Sequence, residues 1–316
     1  MAEATESPKE IPTTPAAPAP APKPRPTVKG ASRSKESIWG LRKPIPQSYR
    51  WPFALALPVI LFIAWLILTA GERPLINELF LPSPGKVLHG LSELFFRDQC
   101  HVDPAGQKVC SVLDSWLLKC IGWSFLRILT SFLLAAAVAI PLGIFMGAWE
   151  PINRLLDPIM APLRYMPISA FIPLLILWLG IDEKEKIGFL FLGVFVYLLP
   201  VVIASIRAVP EELVQTALTL GASRFQVIRT VLLPAAMPDI FDSFRVMNAI
   251  SWTYVILAEF VNTKFGLGRM IDLAGSHTKT AEVFAGILVI GIIGLATDAL
   301  IRLGSRAFFS WREIDQ

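Results

Sequence analysis

"EELVQTALTLGASRFQVIRTVLLPAAMPD", residues 211–239, is charged and helix-like, yet it lies between segments that are almost wholly apolar. Pro210 followed by Glu211 and Glu212 reads as a helix start, because proline fits the first turn and acids favour the positive end of the helix dipole. Gly221 stands where that helix should stop, since glycine takes the left-handed backbone of a helix end without steric cost. Ala222 and Ser223 open a second helix, which is expected to end at Pro234. Leu213, Ala217 and Leu220 recur at helical spacing in the first helix, and Phe225, Ile228 and Leu232 in the second, so each carries an apolar stripe. Two uses fit such a pair: docking onto a partner, or resting on lipid headgroups, which Arg224 and Arg229 would favour.

The flanks set the class. The 316 residues are 54% hydrophobic and only 17% charged, with a mean hydropathy of +0.57, which is too apolar for an ordinary soluble domain. A helix needs about 20 residues to cross about 30 Å of hydrocarbon. Residues 51–70 and 187–206 meet that length without a charge, and 128–149 does so with an extension upstream through Arg127 and Cys120. Residues 155–166 and 167–180 make one further span if joined across Pro167 as a kinked helix buried among neighbours. Residues 243–261 and 283–301 each carry a charge or two near their ends. The reading is an all-α integral membrane protein with about six transmembrane helices. Pro141, Pro167, Pro173 and Pro200 fall inside these spans and fit helices that bend or break.

Net charge is +4. In a membrane protein basic residues mark the cytoplasmic side, so this charge does not imply nucleic acid. Arg42, Lys43 and Arg50, then Arg154, then Arg207, Arg224 and Arg229, then Arg302, Arg306 and Arg312 all fall on one side of such a topology. Both termini, and the stretch at 211–239, are therefore expected to be cytoplasmic.

Residues 1–50 are rich in Pro and Ala and lack apolar periodicity, which predicts a disordered cytoplasmic tail. The first transmembrane helix and an external loop follow at 51–118, a membrane core at 119–310 and a short cytoplasmic end at 311–316. Cys100 and Cys110 flank the turn-forming Asp103-Pro104-Ala105-Gly106 on the expected external face, where a disulfide is permitted; a stapled hairpin and two free thiols both fit the spacing. Cys120, at the start of a span, reads as a small buried apolar residue. His89, His101 and His277 are scattered without metal-ligand spacing, so no metal site is expected.

The spacing of Gln215-Thr216-Ala217, three residues, Gly221, nine residues, Val231, one residue and Leu233-Pro234 resembles the EAA loop of binding-protein-dependent ABC importer permeases. That pattern is Glu-Ala-Ala, three residues, Gly, nine residues, Ile, one residue, Leu-Pro. Here Gln-Thr replaces Glu-Ala and Val replaces Ile, and Glu211 or Glu212 one turn earlier stands in for the usual acid. "LFLPSPGKVLHGLSEL", "AIPLGIFMG", "LDPIMAPLRYMPISAFIPLLILWLGI" and "AEF…FGLGRMI" are similar, in order, to the nitrate/sulfonate/taurine permease family, over about residues 50–310.

The resemblance implies a type I ABC importer permease fold in a bacterial inner membrane, with 211–234 as a coupling loop seated on an ABC ATPase subunit. It further implies a second permease copy, as a homodimer, and a periplasmic solute-binding protein. ATP and Mg would reside on the ATPase, with no cofactor in this chain, and the cargo would be a small anion of nitrate, sulfonate, taurine or bicarbonate type. For such a cargo Arg127 and Arg164 are candidate ligands in the translocation path; the alternative is that Arg127 pairs structurally and Arg164 caps a broken helix. Arg245, Glu259 and Asp298 are further charges costly in lipid, and Glu259 is expected to brace the outer ends of the last two spans. An ion-coupled carrier would be expected to show inverted repeats and mid-membrane carboxylates. An intramembrane enzyme would need a nucleophile or metal constellation, and the sequence has no HExxH and no GxSxG.

Overall fold

The computed structural model describes residues 47–71, 75–97, 100–102, 108–110 and 115–309. The expected tail up to residue 46, the turn at 103–106 and the end at 311–316 lie outside the described residues. The chain divides into two units, Met1–Ile60 and Leu61–Gln316. In the first, the described residues form the N-terminal part of α1 (Gln47–Thr69). The second holds α2 (Pro84–Phe96), a hairpin of β1 (Cys100–Val102) and β2 (Lys108–Cys110), and then helices throughout. Cys100 lies opposite Cys110 in the antiparallel ladder; the side chains that would form a bridge lie outside the described residues.

The core is built on α3 (Trp116–Ala148) and α6 (Glu183–Arg207), which pack on each other more extensively than any other pair. Small residues allow this approach: a Cβ on Gly143 would sit 2.7 Å from Val202, and one on Gly147 2.8 Å from Ile206. Without a hydrophobic drive between helices in lipid, such close contact is what holds spans together. α3 and α6 run the same way, since Arg127 meets Glu183 at one end and Gly147 meets Ile206 at the other. α9 (Leu233–Phe260) packs on α6, where Tyr254 fills the space over Gly193. α11 (Thr280–Phe308) lies antiparallel to α9. Arg245 Nε donates to Asp298 at 2.7 Å, and Asn248 Nδ2 and Trp252 Nε1 both donate to Thr297 Oγ1.

Four described helices are long and apolar enough to cross a membrane: α1 from Trp51, α3, α6 and α11. A bent pair brings the number to five. α9 has 28 residues, enough to span, but carries Asp239, Asp242, Arg245 and Glu259 and is not among them; the count of six rests on that helix.

The third span differs from expectation. Instead of one kinked helix buried among neighbours, α4 (Glu150–Leu163) ends before Pro167, and a 3-10 turn (Ile168–Phe171) leads into α5 (Ile172–Leu179). The two arms are bent by 91°, and neither α4 nor α5 contains a buried residue. Proline drives the residue before it out of the helical region, so the chain turns at Met166 rather than curving through it. Pro141 and Pro200 lie inside continuous helices.

Candidate functional site

The stretch at 211–239 forms α7 (Glu211–Thr219), a turn, α8 (Arg224–Val227) and a π turn (Ile228–Leu232) that runs into α9. Gly221 has φ +86°. Its N–H donates to Leu218 O at 3.0 Å and the Ala222 N–H to Ala217 O at 3.1 Å, the Schellman pairing that satisfies the last carbonyls of a helix. Ser223 then caps α8 reciprocally: its Oγ accepts from Gln226 N at 3.3 Å, while Gln226 Oε1 accepts from Ser223 N at 2.7 Å. Back-to-back caps fix the angle between the two arms, and each is made of bonds between residues close in sequence.

Pro234 does not end the second helix. It lacks an N–H, so the ladder slips by one residue ahead of it, and Leu233 N bonds to Ile228 O five residues back. The helix then continues to Phe260. The 211–234 segment is thus continuous with a helix that reaches the opposite end of the bundle.

The expected docking stripes are divided. Ala217, Ile228 and Leu232 pack on the core of this chain, together with Val214, Ala222, Val227 and Val231. Leu213, Leu220 and Phe225 point outward, Leu220 at 83% and Phe225 at 63% exposure. Glu211, Glu212, Gln215, Thr216, Arg224 and Pro234 are also exposed, and Leu233 is half-buried. Gln215 Nε2 donates to Glu211 Oε1 at 2.7 Å, so an acid one turn upstream sits beside Gln215. The hairpin presents a mixed apolar and acidic outer surface on a short, rigid frame.

At the other end of the bundle Arg127 is 3% exposed. Its Nε and Nη2 donate to Glu183 at 2.6 and 2.7 Å, and Nη1 donates to Glu259 Oε1 and Phe265 O, both at 2.8 Å. Glu259 is fully buried; it also accepts from Ser124 Oγ at 2.7 Å and from Gly268 N at 2.8 Å. Leu267 N donates to Ser124 Oγ at 2.9 Å. One guanidinium and one carboxylate therefore join α3, α6, α9 and the start of α10 (Leu267–Ser276). Four of the five N–H donors of Arg127 are taken by these partners and its side chain is buried, which matches the alternative of structural pairing rather than that of a ligand in the translocation path.

Sequence reading singled out Arg127 and Glu259 but not Ser124, Glu183 or the glycines that complete the network. A Cβ on Gly266 would lie 2.5 Å from the Glu259 carboxylate, and one on Gly268 2.7 Å from Ile256 O. The Gly-Leu-Gly spacing after a glutamate was the available signal. Arg164 lies elsewhere, at the break between α4 and α5, 3.5 Å from Asp157. Among the described residues no three His, Cys, Asp or Glu side chains converge as a metal cluster.

Comparison with known proteins places this architecture. Residues 139–309, more than half of the chain, match the model of the binding-protein-dependent transport system inner membrane component. The chain is 32% identical over 270 residues to the taurine transport system permease protein TauC of Escherichia coli K12, covering 83% of this chain and 93% of that one. It is 31% identical over 271 residues to a putative aliphatic sulfonates transport permease protein, SsuC, of Bacillus subtilis 168, covering 86% and 91%. Its fold is shared with a chain of the MetNI methionine ABC transporter solved facing inward, with a TM-score of 0.52 at 19% identity, covering 62% of this chain and 99% of that one. The apolar helices and these matches make the protein a multi-pass transport permease of the inner membrane, and the chain belongs to the family of binding-protein-dependent transport system inner membrane components.

Proposed function

We propose that this chain is the transmembrane subunit of an ATP-driven importer for a small sulfonate-type anion, handed over by a periplasmic binding protein. The hairpin at 211–234 seats on an ATPase subunit that holds ATP and Mg; this chain carries no cofactor and no catalytic residue. Two copies form the path, and the lack of any buried residue in α4 or α5 supports a second copy there. Both termini lie on the ATPase side, in the cytoplasm.

The observation that carries the reading is the hairpin, whose turn is locked from both sides while its outer face is left uncovered. Closure of the ATPase pair would move that hairpin as one piece. Because α8 runs through the π turn into α9, the motion reaches Glu259, about 40 Å along the same helix at about 1.5 Å per residue. The sulfonate class follows the names of the two relatives above. Proteoliposomes holding this chain with a cognate ATPase and binding protein should accumulate labelled taurine or an alkanesulfonate only when ATP is supplied. Uptake driven by a sodium or proton gradient without ATP would overturn the reading in favour of an ion-coupled carrier.

A further inference from the structure

The break between α4 and α5 is placed within the depth of the bundle. Leu163 and Arg164 line a small cleft with Phe195, Val196, Leu199, Pro200 and Ile203 of α6, and Leu179 of α5 lies over Gly188, nearer the start of that helix. Residues 195–203 are about 18–30 Å from one end of α6 and about 6–18 Å from the other, at about 1.5 Å per residue. That is inside a hydrocarbon layer about 30 Å thick.

The elbow there is polar and uncovered. Tyr165 is 88% exposed. The side chains of Arg164 and Asp157 are 38% and 50% exposed, and their 3.5 Å ion pair is longer than a good hydrogen bond. The Tyr165 N–H donates to Pro162 O at 3.0 Å, and its hydroxyl has no hydrogen-bond partner among the described residues. A guanidinium, a carboxylate and a phenol at this depth are too costly to face acyl chains; such groups face water-filled cavities, and broken helices persist at membrane depth where they line one. The intact apolar face of α11, with Ile292, Leu295 and Leu303 exposed, is the contrasting surface that suits lipid.

Resting on the importer reading, we propose that Arg164 and Tyr165 form a selectivity constriction of the translocation path. Arg164 supplies a loosely held positive charge with paired N–H donors for a sulfonate-type oxyanion. Tyr165, projecting beside it, narrows the passage and offers a single hydroxyl. The same guanidinium repels cations, so the elbow sorts cargo by charge. Neither residue belongs to the docking hairpin or to the Arg127 network.

The test uses the full chain in membranes, with Cys120→Ala and subtraction of labelling at the remaining cysteines. Tyr165→Cys is probed with two water-soluble thiol reagents of opposite charge, sulfonatoethyl methanethiosulfonate and its trimethylammonium counterpart. Because only a hydrated thiolate reacts, labelling at 165 should be at least about tenfold faster than at Leu295→Cys. Adding Arg164→Gln should slow the anionic reagent about threefold and speed the cationic one about threefold, as expected for loss of a unit charge about 7 Å away in water. Arg164→Lys should restore the preference. Labelling at 165 as slow as at 295, or reagent rates indifferent to Arg164, would overturn the proposal. ATPase co-purification, measured on the same membranes, separates that failure from failure of the importer reading: retained ATPase with a silent elbow removes only the constriction.

Discussion

The two ends of the bundle handle polar groups in opposite ways. Around Glu259 they converge inward: a buried guanidinium, a buried carboxylate, a serine and two backbone N–H groups satisfy one another across α3, α6, α9 and α10. Around Gly221 the hydrogen bonds are all local, within α7 and α8, and the polar side chains there are exposed. Inward pairing fixes neighbouring helices to one another, whereas local capping makes a rigid piece whose outer face is free to meet something else. The first end is built as an anchor and the second as a handle.

The sharpest way to break this contrast is Arg127→Leu, which leaves Glu259 buried without its cation. Removing one partner of a buried pair costs about 3–5 kcal/mol, so the protein should accumulate poorly and lose thermal stability in detergent. Adding Glu259→Leu should recover part of the loss, and a double-mutant cycle measures how much of it belongs to the pair. If Arg127→Leu left the melting temperature unchanged, the anchor would be no anchor.

Gly268→Ala probes the same end sterically. The new Cβ would lie 2.7 Å from the Ile256 carbonyl, a backbone atom that cannot swing away, and overpacking of this kind costs about 1–3 kcal/mol. The expected result is a lower melting temperature with folding retained, read by fluorescence-detected chromatography on heating. Gly221→Val sharpens the other side of the comparison. Nothing lies within 4 Å of a Cβ there, but φ is +86°, so the cost of about 1–2 kcal/mol comes from the backbone alone. The mutant should reach the membrane at near-normal level and lose ATP-dependent uptake, because the two arms no longer share one angle. Smallest is Ser223→Ala, which removes half of the reciprocal cap at about 1 kcal/mol. It should lower the melting temperature by only a few degrees and reduce uptake only partly; a full loss of uptake would mean that Ser223 itself touches the partner.

The handle was more legible in the sequence than the anchor, for a physical reason. Acids after Pro210, the stop at Gly221 and the restart at Ser223 are properties of neighbouring residues, and they operate wherever the segment is placed. Arg127 meets partners 56 and 132 residues away, and spacing along the chain carries no trace of that. Facing was also hidden: Ala217 repeats at the same period as Leu213 and Leu220, yet the bundle claims it while leaving the other two outside. An acidic substitution at Ala217 therefore damages packing within this chain as well as docking. Proline misled twice in opposite directions. Pro234 promised an end and produced a π turn, whereas Pro167 promised a kink and produced a 91° break. Pro141 and Pro200, in helices packed tightly on each other, broke nothing, because neighbouring contacts hold a helix that proline alone would weaken.

The central claim is that the outer face of the hairpin seats an ATPase. Phe225, 63% exposed in α8 within the Ser223–Gln226 cap, is the residue to change. The measurement is the amount of co-expressed ATPase recovered per permease on affinity purification of Phe225→Asp, with membrane level and melting temperature recorded alongside. The prediction is a permease present and stable at wild-type level that brings down little ATPase. Full recovery of the ATPase together with normal uptake would contradict it, and would leave the hairpin as a pair of helices resting on lipid.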